Sequence, residues 1–370
     1  MRPRFWGLAV RALLYSIRQR RVGASDEYQL FPKISLGQPT AKPLQATVPV
    51  PSAWQGLLAE TKTRAFRVWR ENRPLQGWDA PGDDPLRVGR LYSVTKSVLS
   101  LAWGIADAEK RVPQLDEIVH GGMTVRQLLR MDSGLPFDEG FSRVNRQVHT
   151  YLTRNAGRAA RSVRVVEPVA EEFHYNDYHS LLLGVLLEEG LKKSGWVPRI
   201  AGPNLVSTWM YERLLAPLDL SAPVHFVVDS ARNGFPKTES GLCLCADDLV
   251  KIGQLVLNHG VWDGRVLVPA AWLDQSTDPH LGWSGVESFR RYRNLAWGPW
   301  LSQGRGFYGW HWWGRLEKDS KPTVFAMGIH GQLLVISPKH RAVVVRLADR
   351  WSLKGWWPDK ILEGLEKGLI

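Results

Sequence analysis

The run Leu91-Tyr92-Ser93-Val94-Thr95-Lys96-Ser97-Val98-Leu99 combines a Ser-x-x-Lys pattern with the beginning of an apolar helical repeat. Turn-forming residues precede it at 83–85, and the apolar positions continue at helical spacing to Ile105. A serine and a lysine three residues apart lie on the same face of a helix. We therefore predict that Ser93 lies in the first turn of a buried helix, with Lys96 beside it.

This placement is suited to a nucleophile. The first turn of a helix carries free N–H groups and the positive end of the helix dipole, and both favour developing negative charge. A lysine that is partly removed from water can act as a neutral base or hold a proton for another base. Most Ser-x-x-Lys pairs lie on solvated helix surfaces, so the rest of the chain has to support the interpretation.

Composition narrows the classes of partner. The chain has 370 residues, enough for one large domain or for two that share a core, and a formal net charge of +12. Such a charge fits an anionic partner, a membrane surface or nucleic acid. The arginines concentrate in residues 1–21, however, and no nucleic-acid-binding motif accompanies them. We therefore expect no nucleic-acid partner.

The two cysteines, Cys243 and Cys245, indicate neither a disulfide nor a metal site. Two residues apart, they are poorly placed for a local disulfide, and no cysteine–histidine spacing typical of a metal site occurs. We expect two buried, small apolar side chains and no bound metal.

Residues 1–50 form a predicted basic N-terminal arm. In residues 1–21 arginines alternate with apolar residues, Arg11 interrupts the apolar core, and no small-residue cleavage site follows, so a signal peptide is not indicated. The stretch is also too short to span a membrane. A basic amphipathic helix on a membrane surface and a helix packed on the protein body are both compatible with it. The proline-rich remainder is expected to wrap or extend.

Beyond the arm, strands are predicted near both ends of the chain and helices between them. The predicted strands are 65–69 with a return strand at 73–78, and then 307–313, 323–327, 332–336 and 342–347. The predicted helices are 93–110, 124–131, 181–187, 209–215, 246–257, one that begins at Trp272, and 359–368. One sheet made by both ends, with a helical insertion, follows from this order.

Several ordered motifs resemble the serine β-lactamase and penicillin-binding protein family, in its class C-like form. Residues 91–110 resemble the nucleophile region, and 115–116 with 124–135 resemble the stretch that follows it. The resemblance runs from about 64 to 347 and implies an α+β, β-lactamase/transpeptidase-like fold, with an antiparallel sheet flanked by helices plus a mainly helical region. The hydrolase domain would then be 51–370, with its α/β part at about 51–92 and 285–370 and its helical part at about 93–284.

The family's second motif, Tyr-x-Asn, resembles Tyr175-Asn176-Asp177, with aspartate in the asparagine position. The resemblance implies that Tyr175 is the base. A tyrosine close to a lysine cation is expected to have a lowered pKa, so that its phenolate can take the Ser93 proton. Asp177 would add a negative charge that keeps Lys96 protonated. The alternative for Tyr175 is a core aromatic residue beside a helix.

The third motif of the family is Lys-Thr-Gly or His-x-Gly on an inner strand beside the serine. The segment Lys237-Thr238-Glu239-Ser240-Gly241 contains the residue types of this motif, but we reject it because a helix follows it instead of an edge strand. Residues 326–332, followed by a strand, resemble the version in the esterase and 6-aminohexanoate-oligomer hydrolase branch. This implies that the N–H of Ile329 completes an oxyanion hole with the N–H of Ser93. His330, next to Gly331, would either contact the substrate or fix the loop.

The same branch has a tryptophan-rich strand similar to residues 309–313, which either lines the pocket or packs the sheet; we favour packing. No lysine occupies the third-motif position that pairs with the carboxylate of penicillin-like substrates. The resemblance therefore implies a serine hydrolase for a small ester or linear amide, without cofactor or metal. A β-lactamase or D-alanyl-D-alanine carboxypeptidase is the alternative, and a non-catalytic binding or membrane-associated member is the alternative of another class. The missing signal peptide favours the cytoplasm, whereas the family is often exported, so membrane-associated and periplasmic locations stay open.

Overall fold

The structure is a computed structural model that describes residues 15, 24–42, 44, 48–71, 73–136, 146–164, 172–202, 204–292, 301, 303–349 and 357–370. The helices are α1 Ser52–Glu60, α2 Val94–Ala108, α3 Val125–Arg130, α4 Arg146–Leu152, α5 Ala156–Ser162, α6 Asp177–Lys193, α7 Leu205–Met210, α8 Ala246–Leu257, α9 Ala270–Ser276 and α10 Trp357–Glu366. The strands are β1 Lys33–Leu36, β2 Val48–Pro49, β3 Thr63–Arg70, β4 Arg73–Asp79, β5 Gly89–Arg90, β6 Val224–Val227, β7 Leu242–Leu244, β8 Val261–Trp262, β9 Arg265–Val266, β10 Trp283–Ser284, β11 Gly306–Tyr308, β12 Trp313–Arg315, β13 Thr323–Gly328, β14 Gln332–Ser337 and β15 Ala342–Ala348.

Both ends of the described chain contribute to the largest sheet. Its order is β10-β11-β12-β13-β14-β15-β3-β4-β2, and the neighbouring strands are antiparallel except β2 and β4. β15, from the C-terminal part, pairs with β3, from the N-terminal part, with Val344 opposite Val68. The predicted α+β fold with an antiparallel sheet is confirmed.

Helices cover this sheet on both faces, which explains the nearly continuous apolar runs of β14 and β15. On β15, Val343 and Val345 face the large core shared with the helical region, whereas Val344 belongs to the core under α1 and α10. α8 packs closely on β15: a side chain at Gly253 would come within 2.3 Å of Val343. Glycine is therefore required there by the close approach of helix and sheet.

The arm takes part in a second, four-stranded sheet of order β1-β6-β7-β5. β1 of the arm pairs with β6, with Ile34 opposite Phe226, although about 190 residues separate them in the chain. At the opposite edge of this sheet, β5 leads directly to the start of α2. The amphipathic segment proposed for residues 1–21 lies outside the described residues, apart from Tyr15.

Most predicted helices are present, with shifted ends. The 246–257 helix agrees residue for residue, whereas the 181–187 segment belongs to a longer helix, α6, that Asn176 caps. Thr124 caps α3 with a full capping box, and the helix ends at Arg130, before the left-handed Met131. Cys243 and Cys245 are buried and free, as predicted. Among the helices in the described part of the chain, none has the length and apolarity needed to cross a membrane.

Candidate active site

Ser93 stands half-buried at the start of a helix whose residues 94–106 are buried. Leu91 N–H donates to the Leu242 carbonyl (2.9 Å), which fixes the end of β5, and Tyr92 then adopts a left-handed conformation with φ 50°. Ser93 is the N-cap of α2 and is half-buried, whereas residues 94–106 behind it are buried. The predicted helix start is therefore correct, and the serine hydroxyl is left at the surface of the core.

Lys96 is the centre of the site's hydrogen bonds. Its ammonium group is 1% exposed and donates to Ser93 Oγ (2.9 Å), Asp177 Oδ1 (2.7 Å) and the Glu239 carbonyl (2.9 Å). Burial acts to lower the pKa of Lys96, but the nearby Asp177 carboxylate and Tyr175 outweigh it and raise that pKa above the usual lysine value. Lys96 is therefore held as a cation beside the serine hydroxyl.

The side chains of the second motif are positioned by Asn176, the N-cap of α6. Asn176 Oδ1 accepts from the Tyr178 N–H (2.9 Å), and its Nδ2 donates to the Leu135 carbonyl (2.9 Å). An asparagine that binds its own helix start in this way fixes its neighbours on either side. Asp177, in the first turn, thereby reaches Lys96, and Tyr175, just before the cap, reaches the serine.

Tyr175 lies in an aromatic cluster. Its ring stacks on Trp313 (centroids 5.5 Å apart, 24° between planes), and Lys96 Nζ is 5.0 Å from its centroid. Its backbone N–H donates to the Tyr292 hydroxyl (2.7 Å), and its side chain interacts electrostatically with Lys96 and Ser93. Ser93, Tyr175 and Asp177, named from sequence, thus all lie around Lys96.

The prediction of a lowered pKa for Tyr175 was wrong. Burial among the aromatic rings raises the pKa of Tyr175, and the Lys96 cation, which lowers it, does not compensate fully. The sequence shows the neighbouring cation but not the degree to which the ring is shielded from water. At neutral pH the resting form of Tyr175 is therefore the phenol.

The turn Ile329–Gly331, between β13 and β14, adjoins the nucleophile segment. A side chain on Gly328 would lie 2.3 Å from the Leu91 carbonyl oxygen, so the end of β13 touches the backbone just before Ser93. The His330 ring lies edge-on to Tyr92 at 5.2 Å, and the Gly331 carbonyl accepts from Arg346 Nη1 (2.9 Å). The turn that carries Ile329 is therefore fixed at both of its other residues.

The rejected segment 237–241 lies behind Lys96 rather than on the nine-stranded sheet. The stated reason was partly wrong, because a strand, β7, follows it before α8 begins. Lys237 is buried, and its ammonium group donates to the Thr150 carbonyl (2.7 Å). The segment contributes a group that sequence reasoning missed, the Glu239 carbonyl that binds Lys96.

The tryptophan-rich segment packs the site from behind. Trp310 and Trp312 are fully buried, as favoured from sequence. His311 joins three elements: its carbonyl accepts from Ser97 Oγ (2.6 Å) on α2, its ring is bonded to Ser180 Oγ (2.9 Å) on α6, and Nδ1 to the Leu129 carbonyl (3.0 Å) on α3. Burial lowers the pKa of His311 to about 3, so the ring is neutral.

Several contacts of the site had no recognisable sequence signal. Tyr292 and Trp313 hold Tyr175 from the far side, more than 115 residues away along the chain. Only the resemblance of the tryptophan-rich strand pointed towards Trp313. Among the described residues, no group of three histidine, cysteine, aspartate or glutamate side chains is arranged to hold a metal ion.

The chain is similar in sequence to a known family and to a known hydrolase. The sequence pattern of the Beta-lactamase family matches residues 82–356. A 6-aminohexanoate-dimer hydrolase from Paenarthrobacter ureafaciens is 25% identical over 340 residues, which is 85% of this chain and 78% of the relative.

Solved structures agree on the fold. A Bacillus anthracis protein assigned as a 6-aminohexanoate-dimer hydrolase superposes with a TM-score of 0.68 at 17% identity, covering 93% of this chain and 90% of its own. EstCE1, described as a hydrolase with promiscuous acyltransferase activity, superposes with a TM-score of 0.62 at 14% identity, covering 84% and 96%. At these identities the superpositions show a shared β-lactamase/transpeptidase-like fold.

Proposed function

This chain belongs to the β-lactamase family, and we propose that it is a serine hydrolase that cleaves an ester or a linear amide through an acyl-enzyme on Ser93. The observation that carries the proposal is the set of contacts at one hydroxyl. Lys96, held as a cation by Asp177, donates to Ser93 Oγ at 2.9 Å, and the Tyr175 ring centroid lies 5.0 Å from Lys96 Nζ. A nucleophile, a base and a group that orients the base are thereby in contact.

In the first half of the reaction, which proceeds in the fraction of molecules that hold Tyr175 as the phenolate, Ser93 Oγ attacks the carbonyl carbon of the substrate and transfers its proton to Tyr175. The Lys96 cation stabilises that phenolate. The carbonyl oxygen becomes an oxyanion, to which the N–H groups of Ser93 and Ile329 donate. Collapse of this intermediate breaks the ester or amide bond, and the departing alcohol or amine takes the proton from Tyr175.

In the second half, water attacks the acyl carbon on Ser93 and gives a proton to Tyr175. The same two N–H groups stabilise the second oxyanion. Breaking the bond to Ser93 Oγ releases the acid, and the proton returns from Tyr175 to the serine. Ser93 is half-buried and Lys96 is 1% exposed, which lets water reach the acyl group while the charge on Lys96 stays shielded.

Two observations support a linear substrate over a β-lactam. The Lys237 ammonium group donates to the Thr150 carbonyl behind the site, and the turn beside Ser93 carries Ile329, His330 and Gly331 instead of a lysine. The name of the 25% identical relative, 6-aminohexanoate-dimer hydrolase, likewise supports an open-chain amide. An ester with a medium-length acyl chain is a simple reporter for either activity.

The test is hydrolysis of p-nitrophenyl butyrate by the wild type, Ser93→Ala and Tyr175→Phe, beside turnover of a linear aminoacyl amide and of a chromogenic cephalosporin. Ser100→Ala is the matched control. Ser100 lies further along the same helix, α2, is buried, and its hydroxyl has no described hydrogen-bond partner.

We expect ester turnover in the wild type and in Ser100→Ala, with losses of about 10³-fold in the other two variants. Cephalosporin turnover faster than ester and amide turnover would instead support the β-lactamase alternative. An inert, folded wild type that resists a fluorophosphonate would support the non-catalytic alternative.

A further inference from the structure

A buried polar cluster joins the N-terminal arm to the residues just before Ser93. Its centre is Glu27, in the 3₁₀ turn Ala24–Leu30, whose carboxylate is fully buried. Glu27 Oε2 accepts from the Tyr92 hydroxyl (2.8 Å), and Oε1 accepts from Arg90 Nη1 (3.2 Å) and from the Tyr151 hydroxyl. Glu27 lies outside the residues 82–356 that match the family pattern.

Tyr92 connects this cluster to both halves of the oxyanion site. It precedes Ser93 and has φ 50°, a conformation that a bulky side chain adopts only where its surroundings fix it. Its hydroxyl is bound by Glu27, the Arg90 guanidinium lies 5.0 Å from its ring, and the His330 ring lies 5.2 Å away. Tyr92 is thus held between the arm and the turn Ile329–Gly331.

Arg90 extends the cluster towards Lys96. Its Nε donates to the Ser240 carbonyl (2.9 Å), and its Nη2 donates to Ser240 Oγ (2.8 Å). The preceding carbonyl, that of Glu239, is the one that accepts from Lys96. Glu27 is the counter-charge of the buried Arg90 guanidinium in the described part of the chain, and so stabilises the segment behind the lysine.

We propose that Glu27 is a positioning residue for Ser93, which acts through Tyr92 and makes the N-terminal arm a working part of the active site. Glu27 does not touch the reacting atoms. It fixes the left-handed Tyr92, and Tyr92 fixes both the Ser93 N–H and its distance from the Ile329 turn. The inference rests on the proposed function, because this placement affects a rate only if Ser93 reacts.

A purely structural cluster would hold the arm without affecting the serine, and two tyrosines separate these cases. Tyr92 and Tyr151 are both buried, and both donate to Glu27, but Tyr151 lies on α4 and Tyr92 is the neighbour of Ser93. Tyr92→Phe and Tyr151→Phe each remove a hydroxyl that donates to the same carboxylate, and Tyr151→Phe also removes an acceptor of Arg90 Nη1 (2.7 Å). Only the first change loosens the nucleophile segment directly.

The experiment measures kcat and KM for p-nitrophenyl butyrate, thermal unfolding, and hydrogen exchange of the backbone amides of 91–97 in both variants. We expect Tyr92→Phe to lower kcat about tenfold with KM within about twofold, because small misplacements of a nucleophile are costly. Tyr151→Phe should unfold at a similarly lowered temperature with kcat within about twofold of the wild type. Faster exchange at 91–97 should appear in Tyr92→Phe alone.

Glu27→Gln gives a second test, because it keeps the shape of the side chain and removes its charge. If Glu27 acts through Tyr92, adding Tyr92→Phe to Glu27→Gln should lower kcat by less than the product of the two single effects. Equal kcat losses in the two tyrosine variants, or fully multiplicative effects in the double variant, would overturn the inference.

Failure of the proposed function is distinguishable from failure of this inference. A folded wild type that neither turns over nor reacts with a fluorophosphonate refutes the proposed function, and hydrogen exchange then decides the rest. Exchange at 91–97 that rises in Tyr92→Phe and not in Tyr151→Phe would support the positioning contact, and equal exchange in the two variants would overturn it.

Discussion

Two buried lysines of this protein make almost the same bonds in different regions. Lys96 donates to a serine hydroxyl, a carboxylate and a backbone carbonyl. Lys251, on α8, also donates to a serine hydroxyl (Ser221, 2.9 Å), a carboxylate (Asp248, 3.1 Å) and a backbone carbonyl, that of Asp219. The hydrogen-bond partners of a buried lysine therefore do not distinguish a catalytic site from a structural one.

The difference lies in the two serines. Ser221 is 2% exposed, its hydroxyl donates to the Lys42 carbonyl (3.2 Å), and its N–H donates to Asp248 (2.7 Å), so its polar groups are used within the fold. Ser93 is half-buried, its hydroxyl meets Tyr175, and it stands beside the turn that begins at Ile329. We infer that a reachable hydroxyl with a base, rather than the lysine itself, marks the active site.

Removing each lysine in turn should give the largest difference in catalytic activity between the two regions. We expect Lys96→Met to lower kcat/KM for an ester about 10⁴-fold, because residues that act as one unit fail together. Lys251→Met should unfold more easily, since it leaves Asp248 buried without its cation, yet keep kcat/KM within about twofold per folded molecule. Circular dichroism at the assay temperature provides the folded fraction. Comparable losses of activity in the two variants would break the comparison.

The donor opposite Ser93 should have the next largest effect. Ile329→Pro removes one N–H, and Gly328 before it is already extended (φ −121°, ψ 152°), as a residue preceding proline prefers. We expect kcat to fall about 10²–10³-fold. Ile329→Ala keeps the N–H and should stay within about threefold of the wild type, a range typical of a lost surface contact. If the alanine variant loses as much as the proline variant, the side chain and not the N–H carries the effect.

The pH dependence should test Tyr175 as the base. Because burial raises the pKa of Tyr175, the phenolate fraction grows as pH rises towards that pKa. We expect kcat/KM to rise about tenfold per pH unit from about pH 7 to pH 9, as for any base below its pKa. Rates are corrected with Ser93→Ala for hydrolysis by hydroxide. A plateau that begins below pH 8 would contradict Tyr175 as the base.

Acid should also lower the stability of the fold, through His311. Its ring is buried and neutral, because the pKa of His311 is lowered from 6.5 to about 3. Between these two pH values the unfolded chain therefore binds a proton that the folded chain does not bind. Stability from this group is complete above pH 6.5 and is lost as pH falls towards 3. At about 1.4 kcal/mol for each pH unit, the loss approaches about 5 kcal/mol.

The check is urea unfolding at several pH values, with His311→Asn as the comparison. Asparagine tolerates the left-handed backbone of His311 (φ 65°) and can donate to the Leu129 carbonyl in place of Nδ1. The variant should be less stable at pH 7 but should lose less stability between pH 6.5 and 4. Parallel acid dependences in the two proteins would exclude His311 as the group responsible.

Local patterns in the sequence predicted the parts of the fold that local interactions determine. α8 agrees residue for residue because its apolar face repeats over three turns, and the start of α2 follows from its apolar stripe and preceding turn. The motif resemblance brought together Ser93, Lys96, Tyr175 and Asp177. These residues are recognisable because all four lie within three residues of the start of a helix, α2 or α6.

Long-range contacts could not be predicted in the same way. The pairing of β1 with β6 and the bonds of Glu27 to Arg90 and Tyr151 join positions 60 to 190 residues apart, and no local pattern specifies such partners. The pKa of Tyr175 was predicted in the wrong direction for the same reason. Its shift depends on shielding by Trp313 and Tyr308, which only the folded chain reveals.

The measurement that tests the account most directly is covalent trapping at the serine. The wild type, Ser93→Ala and Ser221→Ala would each be incubated with a p-nitrophenyl ester and with a fluorophosphonate and then quenched in acid. Mass spectrometry of the intact protein and of its proteolytic peptides would locate any added group. We predict one added group per chain on the peptide that contains Ser93, present in the wild type and in Ser221→Ala and absent from Ser93→Ala. A group that persists in Ser93→Ala, or that maps to another residue, would contradict the central claim.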